Sequence, residues 1–224
     1  MAFGTVRNRI LALSLVLALP ALAAPPKKTP VPKKKESKVT KPRDYAKTQA
    51  VIRTSQGDIT VRFLYDKAPN HVKNFIDLAA SGFYDGTLFH RVIPGFMIQG
   101  GDPLTKDPSK TNLYGTGNHN DAKGEPTYVK AEFNDTSHRR GILSMARATN
   151  PDSASSQFFV VVKDYPSLDR QYTAFGEVVK GIEVADKIVT ESNPDPNDRS
   201  GGRPRNYQKI VRIDLVDASA ADKR

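Results

Sequence analysis

Phe89-His90-Arg91-Val92-Ile93-Pro94-Gly95-Phe96-Met97-Ile98-Gln99-Gly100-Gly101-Asp102 is the stretch on which the reading of this chain turns. Strand-like residues lead into the Pro94-Gly95 turn, and in an extended segment beyond it Met97 and Gln99 project to one side. One guanidinium, Arg91, thus lies within a few residues of an aromatic ring, a thioether and a carboxamide. About sixty residues later Ser156-Gln157-Phe158-Phe159-Val160-Val161-Val162 repeats the amide and aromatic pair, with Gln157 and Phe159 on one face. Such groups can hold an apolar side chain while polar atoms grip the adjoining peptide bond. They are poor material for hydrolysis, redox work or metal chemistry.

Outward from this stretch the pattern is mostly short strands. Val51 to Gln56, Gly57 and Asp58 to Tyr65 read as a hairpin, with Ile59, Val61 and Phe63 on one face. Pro69 suits the first turn of a helix carrying Val72, Phe75, Ile76 and Ala79, and Gly82 suits its end. Tyr84 to Val92 reads as strand, and Asp102 to Pro126 as loop. Gly141–Ala146, Gln157–Val162 and Ala174–Val179 read as three further strands. Gly181 precedes a short helix with Val184, Ala185, Ile188 and Val189, and 209–216 closes the domain with Ile210, Arg212, Asp214 and Val216 on one side. Seven or eight strands with two helices predict an all-β-dominated, closed or nearly closed antiparallel barrel whose ends the helices cover.

The front of the chain has a different composition. Arg7 and Arg9 precede an apolar run from Ile10 to Leu19, followed by Pro20 and Ala21-Leu22-Ala23-Ala24, the pattern of a signal peptide over 1–24 cleaved after Ala23 or Ala24. The run is short against the roughly twenty residues that span a bilayer, so no integral membrane segment is expected after cleavage. Export to a periplasm, the cell envelope or the extracellular space follows. Residues 25–49 are rich in Lys and Pro and are expected to form a flexible tether. Between 25 and 50 nine Lys or Arg face only Glu36 and Asp44, so most of the formal charge of +10 lies outside the domain, taken as 50–217 with a frayed tail at 218–224. A near-neutral domain argues against nucleic acid as a partner. The basic tether offers at most a weak attraction to anionic envelope polymers. With no heptads and no obvious apolar edge, a monomer is expected.

Zero cysteines excludes disulfides, thiol catalysis and thiolate metal sites. His71, His90, His119 and His138 stand at no metal-binding spacing, and no cofactor is implied. Ser144, Ser153, Ser155 and Ser156 lack a nucleophile-elbow frame, and Gly100-Gly101 and Gly115-Thr116-Gly117 lack a following phosphate-binding helix.

Phe89–Asp102, Gly141-Ile142-Leu143-Ser144-Met145-Ala146, Ser156-Gln157-Phe158-Phe159-Val160 and Phe175-Gly176-Glu177-Val178 together resemble the cyclophilin-type peptidyl-prolyl cis-trans isomerases, over roughly residues 50–216. Met145-Ala146-Arg147 and Pro151-Asp152-Ser153-Ala154 resemble the bacterial branch. The resemblance implies a closed eight-stranded antiparallel barrel capped by two α-helices, with the site on the outer face. It implies that Arg91 is catalytic, that Phe96, Met97, Phe159 and Leu168 form the proline pocket, and that Gln99 and Gln157 are polar groups beside the peptide. Ala146 and Arg147 match a backbone-contact segment, Tyr172 stands where a pocket histidine is usual, and Ser167 replaces a tryptophan associated with strong cyclosporin binding. The implied substrates are proline-containing unfolded or flexible polypeptides. A peptide-binding, chaperone-like module with weak or no isomerase activity is the alternative from another class.

Overall fold

The computed structural model describes Met1, residues 44–195 and residues 201–218. The signal segment, the tether up to residue 43 and the tail beyond 218 lie outside the described residues. The chain divides into two units, Met1–Thr40 and Lys41–Arg224, and all the described strands and helices belong to the second.

Nine strands lie among the described residues: β1 (Thr48–Thr54), β2 (Gly57–Phe63), β3 (Leu88–Phe89), β4 (Arg91–Ile93), β5 (Met97–Gly100), β6 (Ile142–Met145), β7 (Phe158–Val161), β8 (Ala174–Lys180) and β9 (Gln208–Asp217). They form one sheet in the order β3-β9-β1-β2-β8-β6-β7-β5-β4, antiparallel at every pairing. The barrel takes in Thr48 and Gln49, which the sequence reading leaves to the tether; they pair with Asp217 and Val216.

The expected closed eight-stranded barrel with two capping helices is corrected to nine strands with an open seam. The segment read as one strand up to Val92 changes partner across His90. Phe89 pairs with Gln208 of β9, whereas Arg91 pairs with Gln99 of β5. Those partners stand at opposite ends of the strand order, so the chain itself bridges the gap and β3 and β4 make no ladder with each other. Val92 N instead donates to Gly202 O at 2.7 Å, which satisfies the exposed edge of β4. The helical complement also exceeds α1 (Pro69–Ala80) and α2 (Ile182–Ser192): 3-10 turns occupy 45–47, 103–106, 108–113, 151–153 and 166–168.

The core follows from alternation. Ile59, Val61 and Phe63 face inward from β2, joined by Ile98, Leu143, Met145, Phe158, Val160 and Phe175. Helix α1 adds Val72, Phe75, Ile76 and Ala79, and α2 adds Ala185 and Ile188. The Phe75 ring lies 5.0 Å from Tyr84, 5.2 Å from Phe158 and 5.5 Å from Phe175. Burial of each such ring stabilises the fold by about 1.5–3 kcal/mol. On β9 the expected simple alternation fails: Ile210 and Ile213 are both buried while Val211 is exposed. A register shift puts Ile210 opposite Thr54 and Arg212 opposite Arg53, so Val211 is a bulge residue that inverts the phase.

Three histidines, His71, His90 and His138, are buried. Burial lowers the pKa of each, and at His71 and His138 this outweighs hydrogen bonds to Glu132 and Asp169. Their unfolded forms bind protons more readily, so the stability they contribute is complete above about pH 6.5 and is lost as pH falls below it. Each histidine can remove up to about 1.4 kcal/mol per pH unit in that window. Melting curves between about pH 7.5 and pH 5 are expected to show the midpoint dropping by several degrees; an unchanged midpoint contradicts this.

Candidate active site

The cross-strand register builds the site. Arg91 on β4 stands opposite Gln99 on β5, Gln99 opposite Phe159 on β7, and Phe159 opposite Ser144 on β6. Directly opposed residues share a face, so this row lies on the side of the sheet away from Ile98, Phe158 and Val160. The same face gathers a second apolar cluster of Met97, Ile142, Phe159, Val161 and Ala174, with Ile93, Phe96, Ala146, Leu168 and Tyr172 packed against it. Neighbouring residues of one strand therefore serve two purposes: Phe158 fills the core and Phe159 floors a groove.

That groove is a cavity of about 640 Å³. Arg91, Phe96, Met97, Gln99, Ala146, Arg147, Phe159, Leu168 and Tyr172 all line it. Gln157 lines an adjoining cavity of about 390 Å³, which shares Gln99, Ala146 and Arg147 as its wall. The Phe159 ring lies 6.4 Å from Phe96 and meets Tyr172 edge-on at 5.9 Å. Ser167 sits in the 3-10 turn 166–168, one residue before Leu168.

Polar groups fix the rim. Arg91 Nε donates to Gly201 O at 2.9 Å. Gln99 donates from Nε2 to Gln157 Oε1 at 3.0 Å. Gln157 Nε2 in turn donates to Gly115 O at 3.0 Å and Gly117 O at 2.8 Å, tying the loop after β5 to the groove. Gly201 comes from the polar loop before β9 and has no sequence-local relation to Arg91. Gly202 holds that loop against β4: at φ +111°, a Cβ there would lie 2.6 Å from Ile93 Cγ1 and 2.8 Å from Val92 O. Gly202→Ala is expected to push the loop off β4 and lower kcat/KM about 10- to 100-fold through a misplaced Arg91, beyond any change in the folded fraction measured by melting.

Sequence reasoning missed Tyr114, Tyr165, Arg203 and Tyr207, which also line the groove. Tyr165 packs on Phe96 at 4.2 Å, and Tyr114 meets Tyr207 edge-on at 5.6 Å. The buried His90 lines the groove as well.

Beneath Phe159 runs a Ser-His-Asp chain: His138 Nε2 is 3.0 Å from Ser144 Oγ, and Nδ1 is 3.0 Å from Asp169 Oδ1. It is no nucleophilic device. Ser144 is fully buried and donates to Thr173 O at 3.0 Å, while the His138 ring stacks 6.3 Å from Phe159. Among the described residues no group of three or more His, Cys, Asp or Glu could hold a metal ion, and no helix is long and apolar enough to cross a membrane.

Residues 49–214 match the family model described as cyclophilin type peptidyl-prolyl cis-trans isomerase/CLD. A peptidyl-prolyl cis-trans isomerase A of Dickeya dadantii is 43% identical over 164 residues, covering 70% of this chain and 80% of that protein. A peptidyl-prolyl cis-trans isomerase of Acinetobacter baylyi is 42% identical over 149 residues, covering 64% of this chain and 73% of that protein. The crystal structure of a Cryptosporidium parvum cyclophilin type peptidyl-prolyl cis-trans isomerase, determined in the presence of the dipeptide Ala-Pro, superposes with a TM-score of 0.63 at 34% identity, covering 76% of this chain and 99% of that one. With an outer-face apolar groove, an arginine at its edge and a family match across the whole barrel, this chain belongs to the cyclophilin-type peptidyl-prolyl cis-trans isomerases.

Proposed function

We propose that Arg91 is the group that accelerates rotation about X-Pro peptide bonds, acting on a proline ring held by Phe96, Met97, Phe159 and Leu168. Peptidyl-prolyl isomerisation of polypeptides is the activity of the family. The barrier of about 18–20 kcal/mol is the amide resonance lost as the bond twists, so the reaction needs no nucleophile. In the twisted state the prolyl nitrogen becomes pyramidal and regains a lone pair. A guanidinium donating to that nitrogen stabilises the twisted state and gains little from the planar one.

The observation that carries this reading is the row Arg91–Gln99–Phe159, which places a permanently charged donor beside the apolar cluster on one face of the sheet. The hydrogen bond from Nε to Gly201 O orients the guanidinium. Gln157 and the backbone near Arg147 hold the segment preceding the proline, and rotation proceeds about one bond with both sides fixed. Tyr172 closes the pocket edge-on against Phe159. A proline-tetrapeptide isomerisation assay on the full chain tests the reading: acceleration above the thermal rate supports it, and the thermal rate alone overturns it.

The chain is further read as a bacterial, exported member acting on folding polypeptides outside the cytoplasm. Its support is the pair Arg7 and Arg9, the apolar run 10–19 and the small residues at 21–24, together with the identity to bacterial relatives. Residues 25–43 then serve as a basic spacer with a weak attraction to anionic envelope polymers, and the domain acts as a monomer. Mass spectrometry of the protein from fractionated cells tests the export reading. A new N-terminus at Ala24 or Pro25 outside the cytoplasm is expected, and an intact leader in the cytoplasm contradicts it.

A further inference from the structure

The wall shared by the two cavities carries one cation, Arg147, which lines both. Its guanidinium is held by neutral groups. Nε and Nη2 donate to Gln171 O at 3.2 and 3.0 Å, and Nη1 donates to Ala148 O at 2.9 Å and Thr149 O at 3.3 Å. Its Cζ stands 4.5 Å from the centroid of the Tyr172 ring. Four of the five guanidinium N–H groups are thus engaged, none with a carboxylate, and one N–H on Nη2 remains. The side chain is fixed before any ligand arrives, so little further rotamer entropy is lost on binding.

The smaller cavity offers this cation no counter-charge. Its remaining wall is uncharged, with Thr116, Asn118, Ser153 and Ser155 beside Ala148 and the exposed ring of Tyr128, and it includes no Asp or Glu. Two acids on the neighbouring loops accept from backbone amides: Asp121 Oδ1 from Lys123 N at 2.8 Å and from Glu125 N at 3.0 Å, and Asp152 Oδ1 from Ala131 N at 2.9 Å. The two cavities meet at Ala146 and Arg147, so a segment leaving the groove over these residues would reach the smaller one.

We propose that Arg147 makes the enzyme favour polypeptide segments carrying Asp or Glu two or three residues before the proline, the carboxylate accepting from Nη2 at the mouth of the smaller cavity. This deepens the proposed function, since it rests on the preceding segment lying along residues 146–147. The pair is partly exposed, so a modest selectivity is expected, about two- to fivefold in kcat/KM. Salt should screen it, because the Debye length shrinks from about 30 Å at 0.01 M to about 3 Å at 1 M.

The test uses the full chain and a protease-free isomerisation assay on three peptides that differ only in Glu, Gln or Lys two residues before the proline, with a second set varied three residues before it. In low salt one set should rank Glu above Gln above Lys, with a Glu:Gln ratio of about two to five that approaches one at high salt. Arg147→Gln should bring the ratio to one at every salt concentration, whereas Arg147→Lys should retain part of it. The ratio is the readout because a purely structural role of Arg147 beneath Tyr172 changes all peptides together. Equal kcat/KM for Glu and Gln peptides in low salt in both sets overturns the proposal, as does a ratio that survives in Arg147→Gln. Turnover of no peptide overturns the isomerase reading and the proposal with it, a result distinct from equal turnover of all three.

Discussion

Arg91→Ala is expected to lower kcat/KM about 100- to 1,000-fold, the usual loss when a preorganised donor to transition-state charge is removed. The side chain lies on the outer face, half-buried, and its backbone stays in the β4–β5 ladder. Stability is therefore expected to change by less than about 1 kcal/mol. The loss should fall on kcat, because the proposed proline pocket of Phe96, Met97, Phe159 and Leu168 is left in place by the substitution. Arg91→Lys keeps the charge but loses the planar fork that Gly201 O orients, so it should recover only part of the rate. Proline-peptide kinetics alongside a melting curve check both statements.

Phe159→Ala has the second large effect, and of another kind. The ring is almost fully buried, lies over His138 at 6.3 Å and touches the groove through Phe96 and Tyr172. Truncation removes the groove floor and leaves a cavity, at a cost of about 3–5 kcal/mol of stability. KM should rise as the proline loses its apolar contact, with a smaller change in kcat. Phe158→Ala is the control. Its side chain points into the core against Phe75, so it should cost a similar stability while leaving KM of the folded fraction near the wild-type value. Chemical denaturation and steady-state kinetics on the pair separate the two faces of β7; a KM shift in Phe158→Ala with none in Phe159→Ala reverses the assignment.

Most of the groove is legible in the sequence because its residues are contiguous and alternate. Met97 and Gln99 share a face, as do Gln157 and Phe159, and the register brings Gln99 and Phe159 directly opposite each other. The hairpin of β1 and β2, helix α1 and helix α2 fall where periodicity and the punctuating Gly and Pro residues put them. The open seam is not legible. Phe89-His90-Arg91 reads as one continuous strand in the sequence, and only the tertiary pairing shows that β9 takes one side of His90 and β5 the other. The bulge at Val211 is hidden for the same reason, since an apolar residue at either phase of β9 suits a strand. Tyr114, Tyr165, Arg203, Tyr207 and the Gly201 carbonyl reach the groove from separate loops, and no local spacing announces them. The carboxamide of Gln99 has two plausible neighbours in the sequence, Arg91 and Gln157, and the structure gives it to Gln157.

The central claim is that Arg91 acts on the twisted amide and not on the bound ground state. The most direct measurement is the cis-trans exchange rate of a proline peptide while bound to the full chain, by NMR, together with the Kd of the same peptide, in wild type and Arg91→Ala. The expected result is a bound-state exchange rate reduced about 100-fold or more with Kd changed less than about fivefold. Exchange close to the wild-type rate in a folded Arg91→Ala protein contradicts the claim, and so does a loss carried entirely by Kd.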